Sequence, residues 1–379
     1  MTIEQIIEGE TVGAMVGKLN ADIERGNRHL LPNQKRVVAF GNSITAAPSN
    51  FVSFMAFNAG GKYLYVKNAG VNGDTTTQMV ARLSDIDGAD AVTIMEAVND
   101  QSNAITLDTH RTNIEAILDY CDNQNIMPMM IASAPADDFG RGRYAHEANI
   151  IDYITCRKRG VPMYHPWDDI IDDSGDANQV SSLTLDGIHP NTAGHRASGA
   201  KLLDDIKNDN YFIPMPIYND LSRATSALND NALFINGTSG NPDSWNTFGA
   251  TSEALAVTSL GIGNTYTVKY INNAVNFNTD YFPANAGDTY LAVMKLKIDN
   301  ISGEPDLLVR IDRQSASTVQ DAFWRHKGGS TDEILVAYEF VAPENTTALR
   351  FSFYANAGTY EVDISIAQAQ IYNLTYYGL

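Results

Sequence analysis

The stretch KRVVAFGNSITAAPSN, residues 35–50, decides how this chain is read. Val37 to Phe40 is a continuous apolar run, the pattern of a strand buried on both faces, and it stops at Gly41-Asn42-Ser43. A serine directly after such a strand stands at the carboxyl edge of a sheet, where ligands of parallel α/β sheets bind. Gly, Asn and Ser are equally the residues of an ordinary turn or helix cap, so the rest of the chain must decide between the two.

Outward from that stretch, residues 35 to about 208 alternate strand-like runs (KRVVAFG, KYLYVKNAG, DAVTIMEAV, IMPMMIASAP, VPMYHPW) with amphipathic segments near 75–85, 106–122, 144–159 and 191–207. Alternation of this kind predicts βαβ units: an α/β domain over residues 33–210 with a doubly wound, parallel, five-stranded sheet. Ahead of it, Val12, Met15, Val16, Leu19 and Ile23 recur at helical spacing and predict a helical segment within 1–32. Beyond NDNYFIPMPIYND the helical period fades, and YLAVMKLKID, DLLVRIDR, EILVAYEFV, ALRFSFYA and YEVDISIAQAQIYNLTYY predict an all-β sandwich of the jelly-roll kind over 220–379.

Composition narrows the partners. The 379 residues are 44% hydrophobic and carry a formal net charge of −19, without a Lys/Arg cluster, which argues against nucleic acid and anionic membranes. Cys121 and Cys156 have neither metal-ligand nor redox spacing, so buried free thiols are expected and a zinc site or disulfide framework is not. The first thirty residues lack a secretory-signal pattern, and no apolar run approaches the ~18 residues of a spanning helix.

Three further segments, two at strand ends and one in a loop after the last strand, are expected on the edge that carries Ser43. NAGVNGDTTTQMVARL puts Gly70 and Gly73 before a helix, where a backbone N–H can face a developing oxyanion. VTIMEAVND ends in Asn99 and Asp100, and an Asn amide is a neutral donor for the same charge. LTLDGIHPNTAGHRASGAKLL places Asp186 three residues before His189, so that a carboxylate can orient an imidazole able to take a serine proton. Each alone is an ordinary loop; their convergence on one edge points to nucleophilic catalysis. His110, His146, His165 and His195 have no partner at such spacing and are expected to be capping or surface residues.

Taken in order and spacing, GNSIT, NAGVNGDTT, AVND and DGIHPN resemble the four blocks of the SGNH hydrolases, also called GDSL esterases and lipases, over residues 35–208. The resemblance implies Ser43 as nucleophile, the Ser43 N–H, Gly73 and Asn99 as oxyanion donors, His189 as base and Asp186 as its orienting acid, with no cofactor and no metal. Two positions depart from the family pattern: Asn42 stands where Asp is usual, and Ala97 where Gly is usual. The absence of a G-x-S-x-G elbow argues against the ordinary α/β-hydrolase alternative.

The β-rich part resembles the carbohydrate-binding jelly rolls appended to glycan-active enzymes, through LFINGTSGNPDSWNTFG, FPANAGDTYLAVMKLKI and YEVDISIAQAQIYNL. Trp324, read as lying in a loop, Trp245 and Tyr281 are the candidate sugar platforms, with core filling as the alternative. GETVGAMVGKLNADIERGN resembles segments near the start of bacteriophage tail-fibre and tail-spike proteins, which implies a homotrimer. Together these likenesses predict an esterase that removes O-acetyl groups from a bacterial surface polysaccharide, on a virion tail or acting extracellularly without a signal peptide, and otherwise cytoplasmic. A short-chain lipase or thioesterase, and a glycan-binding protein whose site no longer turns over, are the competing expectations.

Overall fold

The computed structural model describes residues 34–171, 179–215, 234, 237–238, 241–248, 252–257, 260, 264–271, 275–314, 319–356 and 358–378. They divide between two compact units, one within Met1–Asp172 and Asn178–Phe212, the other within Ile213–Leu379. The helix expected within residues 1–32 lies outside the described residues.

The first unit runs β1 (Lys35–Gly41), α1 (Ser43–Ala46), α2 (Phe51–Asn58), β2 (Tyr63–Gly70), α3 (Thr76–Val80), β3 (Ala91–Met95), α4 (Leu107–Gln124), β4 (Met127–Ile131), α5 (Phe139–Arg159), β5 (Met163–Tyr164) and α6 (Thr192–Asn208). Its five strands are all parallel, in the order β2-β1-β3-β4-β5. Because β1 is followed on one side by β2 and on the other by β3, the order reverses at β1, and a crevice opens at the carboxyl ends of these three strands. Val37, Val38, Ala39 and Phe40 are buried, as the unbroken apolar run requires.

Gly41 ends β1 for a steric reason. A Cβ there would stand 2.4 Å from the Met95 carbonyl oxygen and 2.4 Å from Thr45 Oγ1, so only glycine lets the chain turn into α1 this close to β3. Helix α4 starts where Thr106 accepts the Thr109 N–H and ends at Asn125 in the left-handed region, burying His110, Ile114, Ile117, Leu118 and Cys121 along one stripe. Sequence patterning passed over α2. Its residues Phe51 to Ala56 are buried all round, between α6 and the β2 side of the sheet, so no polar face marks a period.

The second unit is a β-sandwich, its strands antiparallel throughout the two main sheets. We number them β6 (Trp245–Phe248), β7 (Ser252–Val257), β8 (Asn264–Ile271), β9 (Val275–Thr279), β10 (Thr289–Gly303), β11 (Asp306–Gln314), β12 (Val319–Lys327), β13 (Ile334–Val341), β14 (Ala348–Ala355) and β15 (Tyr360–Asn373). One sheet has the order β13-β10-β15-β8-β7. The other is β12-β11-β14-β9-β6, with the short strand Phe282–Pro283 added on β14. Alternate residues of both sheets, among them Tyr266, Val268, Phe277, Leu296, Val309, Phe351, Phe353 and Ile364, meet in one apolar core.

Candidate active site

Ser43 is the first residue of α1, immediately past β1. Its position is fixed by Asn42, whose Oδ1 accepts the Ile44 N–H at 3.0 Å. An aspartate would accept that bond equally, so the loss of charge at Asn42 leaves the cap intact. Ser43 Oγ lies 2.8 Å from His189 Nε2, and His189 Nδ1 lies 2.8 Å from Asp186 Oδ2 and 3.1 Å from Oδ1.

The loop that carries His189 is closed on itself. Thr184 bridges Pro190, the Leu185 N–H donates to the His189 carbonyl at 2.8 Å, and Asn191 caps α6 through the Ala193 and Gly194 N–H groups. Asp186 Oδ1 also accepts the N–H groups of Ile188 and His189, at 3.0 and 2.8 Å. Partial burial works to raise the Asp186 pKa, but these bonds and the His189 ring outweigh it and hold the carboxyl below its ordinary value. Gly187 turns at φ +78°, and a Cβ there would meet the Asp137 carboxylate, which packs under the loop.

Gly73 is exposed at φ +78°, and its N–H has no protein acceptor among the described residues. Asn99 Nδ2 donates to the Asp74 carbonyl at 2.8 Å, which ties the end of the third block to the glycine loop and leaves its second amide hydrogen for a ligand. One residue that patterning did not single out supports this loop. Arg82 Nε donates to Asp74 Oδ2 at 2.5 Å, Nη1 to the Ala69 carbonyl at 2.7 Å and Nη2 to the Gly41 carbonyl at 3.0 Å. Its guanidinium also lies 4.5 Å from the centre of the Phe40 ring. One side chain thus joins the ends of β1 and β2 to the loop between β2 and α3. Nothing in the local sequence marks it, because its partners stand 8, 13 and 41 residues away.

Residues 39–197 match the family model of the GDSL-like lipases and acylhydrolases. The chain carries a GDSL-like lipase/acylhydrolase domain, and with it an esterase-type hydrolase. Among solved structures, a lipase/acylhydrolase from Enterococcus faecalis is 22% identical, covering 46% of this chain and 96% of its own, with a TM-score of 0.37. A GDSL-like lipase from Bacteroides thetaiotaomicron is 19% identical over 52% of this chain and 98% of its own, with a TM-score of 0.40. A family 22 carbohydrate-binding module from Clostridium thermocellum is 12% identical over 38% of this chain and 92% of its own, with a TM-score of 0.30. No curated protein matches the chain.

In the GDSL-like domain the third block carries strain. Ala97 is buried at φ +92°, a conformation that favours glycine, and its methyl packs against Ala145 and Ala148. Beside it lies a fully buried acidic group: Glu96, Asp100 and His110, with Asp152 behind the histidine. Glu96, Asp100 and His110 are near enough to one another for a metal ion, but both His110 nitrogens already face carboxylates, Nδ1 Asp100 at 3.1 Å and Nε2 Asp152 at 3.0 Å. Burial works to lower the His110 pKa; Asp152, the two hydrogen bonds and Glu96 raise it well above the ordinary histidine value. Burial pushes the Glu96 carboxyl well above its usual range, with Asp100 and Asp152 adding to it.

The other histidines also differ from expectation. His110, His146 and His195 are buried rather than at the surface, because each lies on the inner stripe of its helix. Burial lowers the His195 pKa to about 4 and the His146 pKa to about 3. Burial likewise pushes the Cys121 thiol up to about 12, and both cysteines are free and buried. Among the described residues no helix is long and apolar enough to cross a membrane.

The sandwich corrects one candidate sugar platform. Trp245 is 5% exposed and its ring stacks on Phe277 at 4.7 Å, with Phe234 at 4.9 Å and Phe351 at 6.4 Å, so its faces are spent inside the core. Trp324 lies in strand β12 opposite Val309 rather than in a loop, half-buried, with His326 stacked alongside at 5.8 Å. Tyr281 is half-buried and carries the Arg350 guanidinium 4.5 Å from its ring centre.

Proposed function

We propose that the GDSL-like domain is a serine esterase that removes small acyl groups, O-acetyl above all, from a bacterial surface polysaccharide. The observation that carries this reading is the continuous path from Ser43 Oγ to His189 Nε2 at 2.8 Å and from His189 Nδ1 to Asp186 Oδ2 at 2.8 Å. In the proposed mechanism His189 takes the Ser43 proton as Oγ attacks the ester carbonyl, and Asp186 holds the ring and favours the imidazolium that forms. The Ser43 and Gly73 N–H groups and the free Asn99 amide hydrogen receive the oxyanion. The alcohol leaves with the proton from His189, and water then attacks the acyl-serine with His189 again as base. No step calls for a metal or cofactor.

Support for a large alcohol is the exposure of the acid–base pair, with Asp186 53% and His189 35% exposed at the side chain. A polymer can approach such an edge without entering the fold. The β-sandwich is proposed to hold that glycan, with Trp324 and Tyr281 as its candidate aromatic contacts. The setting on a homotrimeric virion tail rests on the sequence of residues 9–27 alone. A site that binds glycan without turning over is the second reading, favoured by the strain at Ala97 next to Asn99.

The test is acetate release from p-nitrophenyl acetate and from acetylated bacterial polysaccharides, by the protein and by its Ser43→Ala form. Serine-dependent release that falls from acetyl to octanoyl esters supports the esterase. Undiminished turnover of the octanoyl ester would move the assignment to a lipase or thioesterase, and glycan binding with no release to the second reading.

A further inference from the structure

Beneath Asn99 lies a chain of buried polar groups that the proposed chemistry does not use. Asp100, the neighbour of Asn99, accepts the Thr76 N–H at Oδ1 (2.9 Å) and the Thr76 hydroxyl at Oδ2 (2.7 Å). The same Oδ2 faces His110 Nδ1 at 3.1 Å, and His110 Nε2 faces Asp152 Oδ1 at 3.0 Å. Thr76, Asp100, His110 and Asp152 are all buried, and they come from four separate places: the first turn of α3, the loop after β3, α4 and α5. Asn113 of α4 adds a bond to the Thr76 hydroxyl at 2.9 Å.

A ring with Asp100 and, at 3.5 Å, Glu96 Oε1 at Nδ1 and Asp152 at Nε2 is satisfied when both nitrogens donate, which makes it the cation that this buried acidic group needs. Thr76 begins the helix that follows Gly73, and Asn99 is bonded to Asp74 of the same loop. The loop is therefore pinned to the third block twice, by Asn99 to Asp74 and by Asp100 to Thr76. Only the second pin depends on the histidine.

We infer that His110 is a positioning residue for the oxyanion donors: held between Asp152 and Asp100, it fixes the Asp100 carboxylate, which anchors Thr76 and so sets where the Gly73 N–H and the Asn99 amide stand. The inference rests on the serine-esterase reading above for its kinetic consequence, but not for its structural one. Misplacing a donor by a fraction of an ångström costs the transition state while leaving ground-state binding nearly unchanged.

Two replacements separate the ends of the ring. His110→Asn keeps a donor near the Nδ1 position, toward Asp100; His110→Gln keeps one near the Nε2 position, toward Asp152. His110→Gln is expected to lower kcat about tenfold, with KM changed less than about twofold, whereas His110→Asn recovers most of the loss. Hydrogen–deuterium exchange at the Thr76 amide is expected to speed up in His110→Gln and to stay near the parent rate in His110→Asn. Asp152→Asn, which keeps shape and removes the charge behind the ring, is the further variant should His110→Gln fold poorly, and it is expected to show the same pair of changes in weaker form.

A folded His110→Gln or Asp152→Asn protein with parent kcat and parent Thr76 exchange overturns the inference. So does an equal loss in His110→Asn and His110→Gln, which would mark general damage to the core. Stoichiometric metal in the purified protein that is lost in both His110 variants also overturns it, since the ring would then be a ligand and not a donor. If the parent shows no Ser43-dependent turnover of any ester, the esterase reading fails, while the exchange at Thr76 still decides whether His110 holds the loop.

Discussion

Arg82→Met tests how the glycine loop is held. The change keeps an unbranched stem as far as the Nε position and removes the charge and the planar donors. Asp74 is then left 8% exposed at the side chain with no cation, and the carbonyls of Gly41 and Ala69 each lose a charged donor. Breaking a buried ion pair costs about 3–5 kcal/mol, and Arg82, 18% exposed, belongs near the lower end. Loss of the contact with the Phe40 ring adds about 0.5–1 kcal/mol.

Asp85, which also meets Arg82, retains Lys67 at 2.9 Å and contributes little. The expected total is about 3–4 kcal/mol, a large part of the ~5–15 kcal/mol that holds an ordinary domain. Most of it reflects an uncompensated charge, so adding Asp74→Asn to Arg82→Met should recover about 2 kcal/mol, although Asp74→Asn alone destabilises. Urea unfolding followed by helical circular dichroism reads the first unit selectively, because α1 to α6 all belong to it. A loss below about 1 kcal/mol in Arg82→Met, or costs that simply add in the double variant, would refute the argument.

Three further outcomes are expected. Asn99→Ala should lower esterase kcat by about 10²–10³ with KM little changed, and unchanged turnover would remove Asn99 from the oxyanion site. The buried His195 and His146 stay neutral in the fold down to about 4 and about 3, whereas the unfolded chain takes up protons below ~6.5. Stability should therefore fall as pH drops from ~6.5 toward those values, by up to ~1.4 kcal/mol per pH unit per histidine, and His195→Phe should flatten the slope of the urea midpoint against pH. Trp245→Ala should destabilise the sandwich by about 3–5 kcal/mol in a melt while leaving turnover of p-nitrophenyl acetate unchanged; a stable variant would return Trp245 to the surface.

Patterning along the chain is enough to read the α/β sheet and the sandwich after it. Strands buried on both faces, such as Val37–Phe40, must be continuously apolar, and helices that bury one face, such as α4, must repeat at helical spacing. Helix α2 shows the limit of that rule, since a helix buried all round carries no period. The order of the blocks also leads to the expectation that Ser43, Gly73, Asn99, Asp186 and His189 share one edge, because parallel strands deliver their following loops to the same side, and Ser43, His189 and Asp186 do meet.

Which side chains meet across long separations could be read only from the folded chain. The carboxylate partners of His110, Asp100 and Asp152, stand ten residues upstream and 42 downstream of it, and Arg82 reaches back 41 residues to Gly41. Neither leaves a local pattern, since a buried charge is tolerated only where distant groups pair with it, and sequence spacing does not encode that pairing. In sequence Trp245 reads as a sugar platform, and it is the stacking of the two sheets that buries it in the core, with Trp324 packed partly buried against the same core. Ala97 stands out in the sequence as a departure from the family's usual Gly, but the folded backbone was needed to place it at φ +92°, where a methyl group is costly.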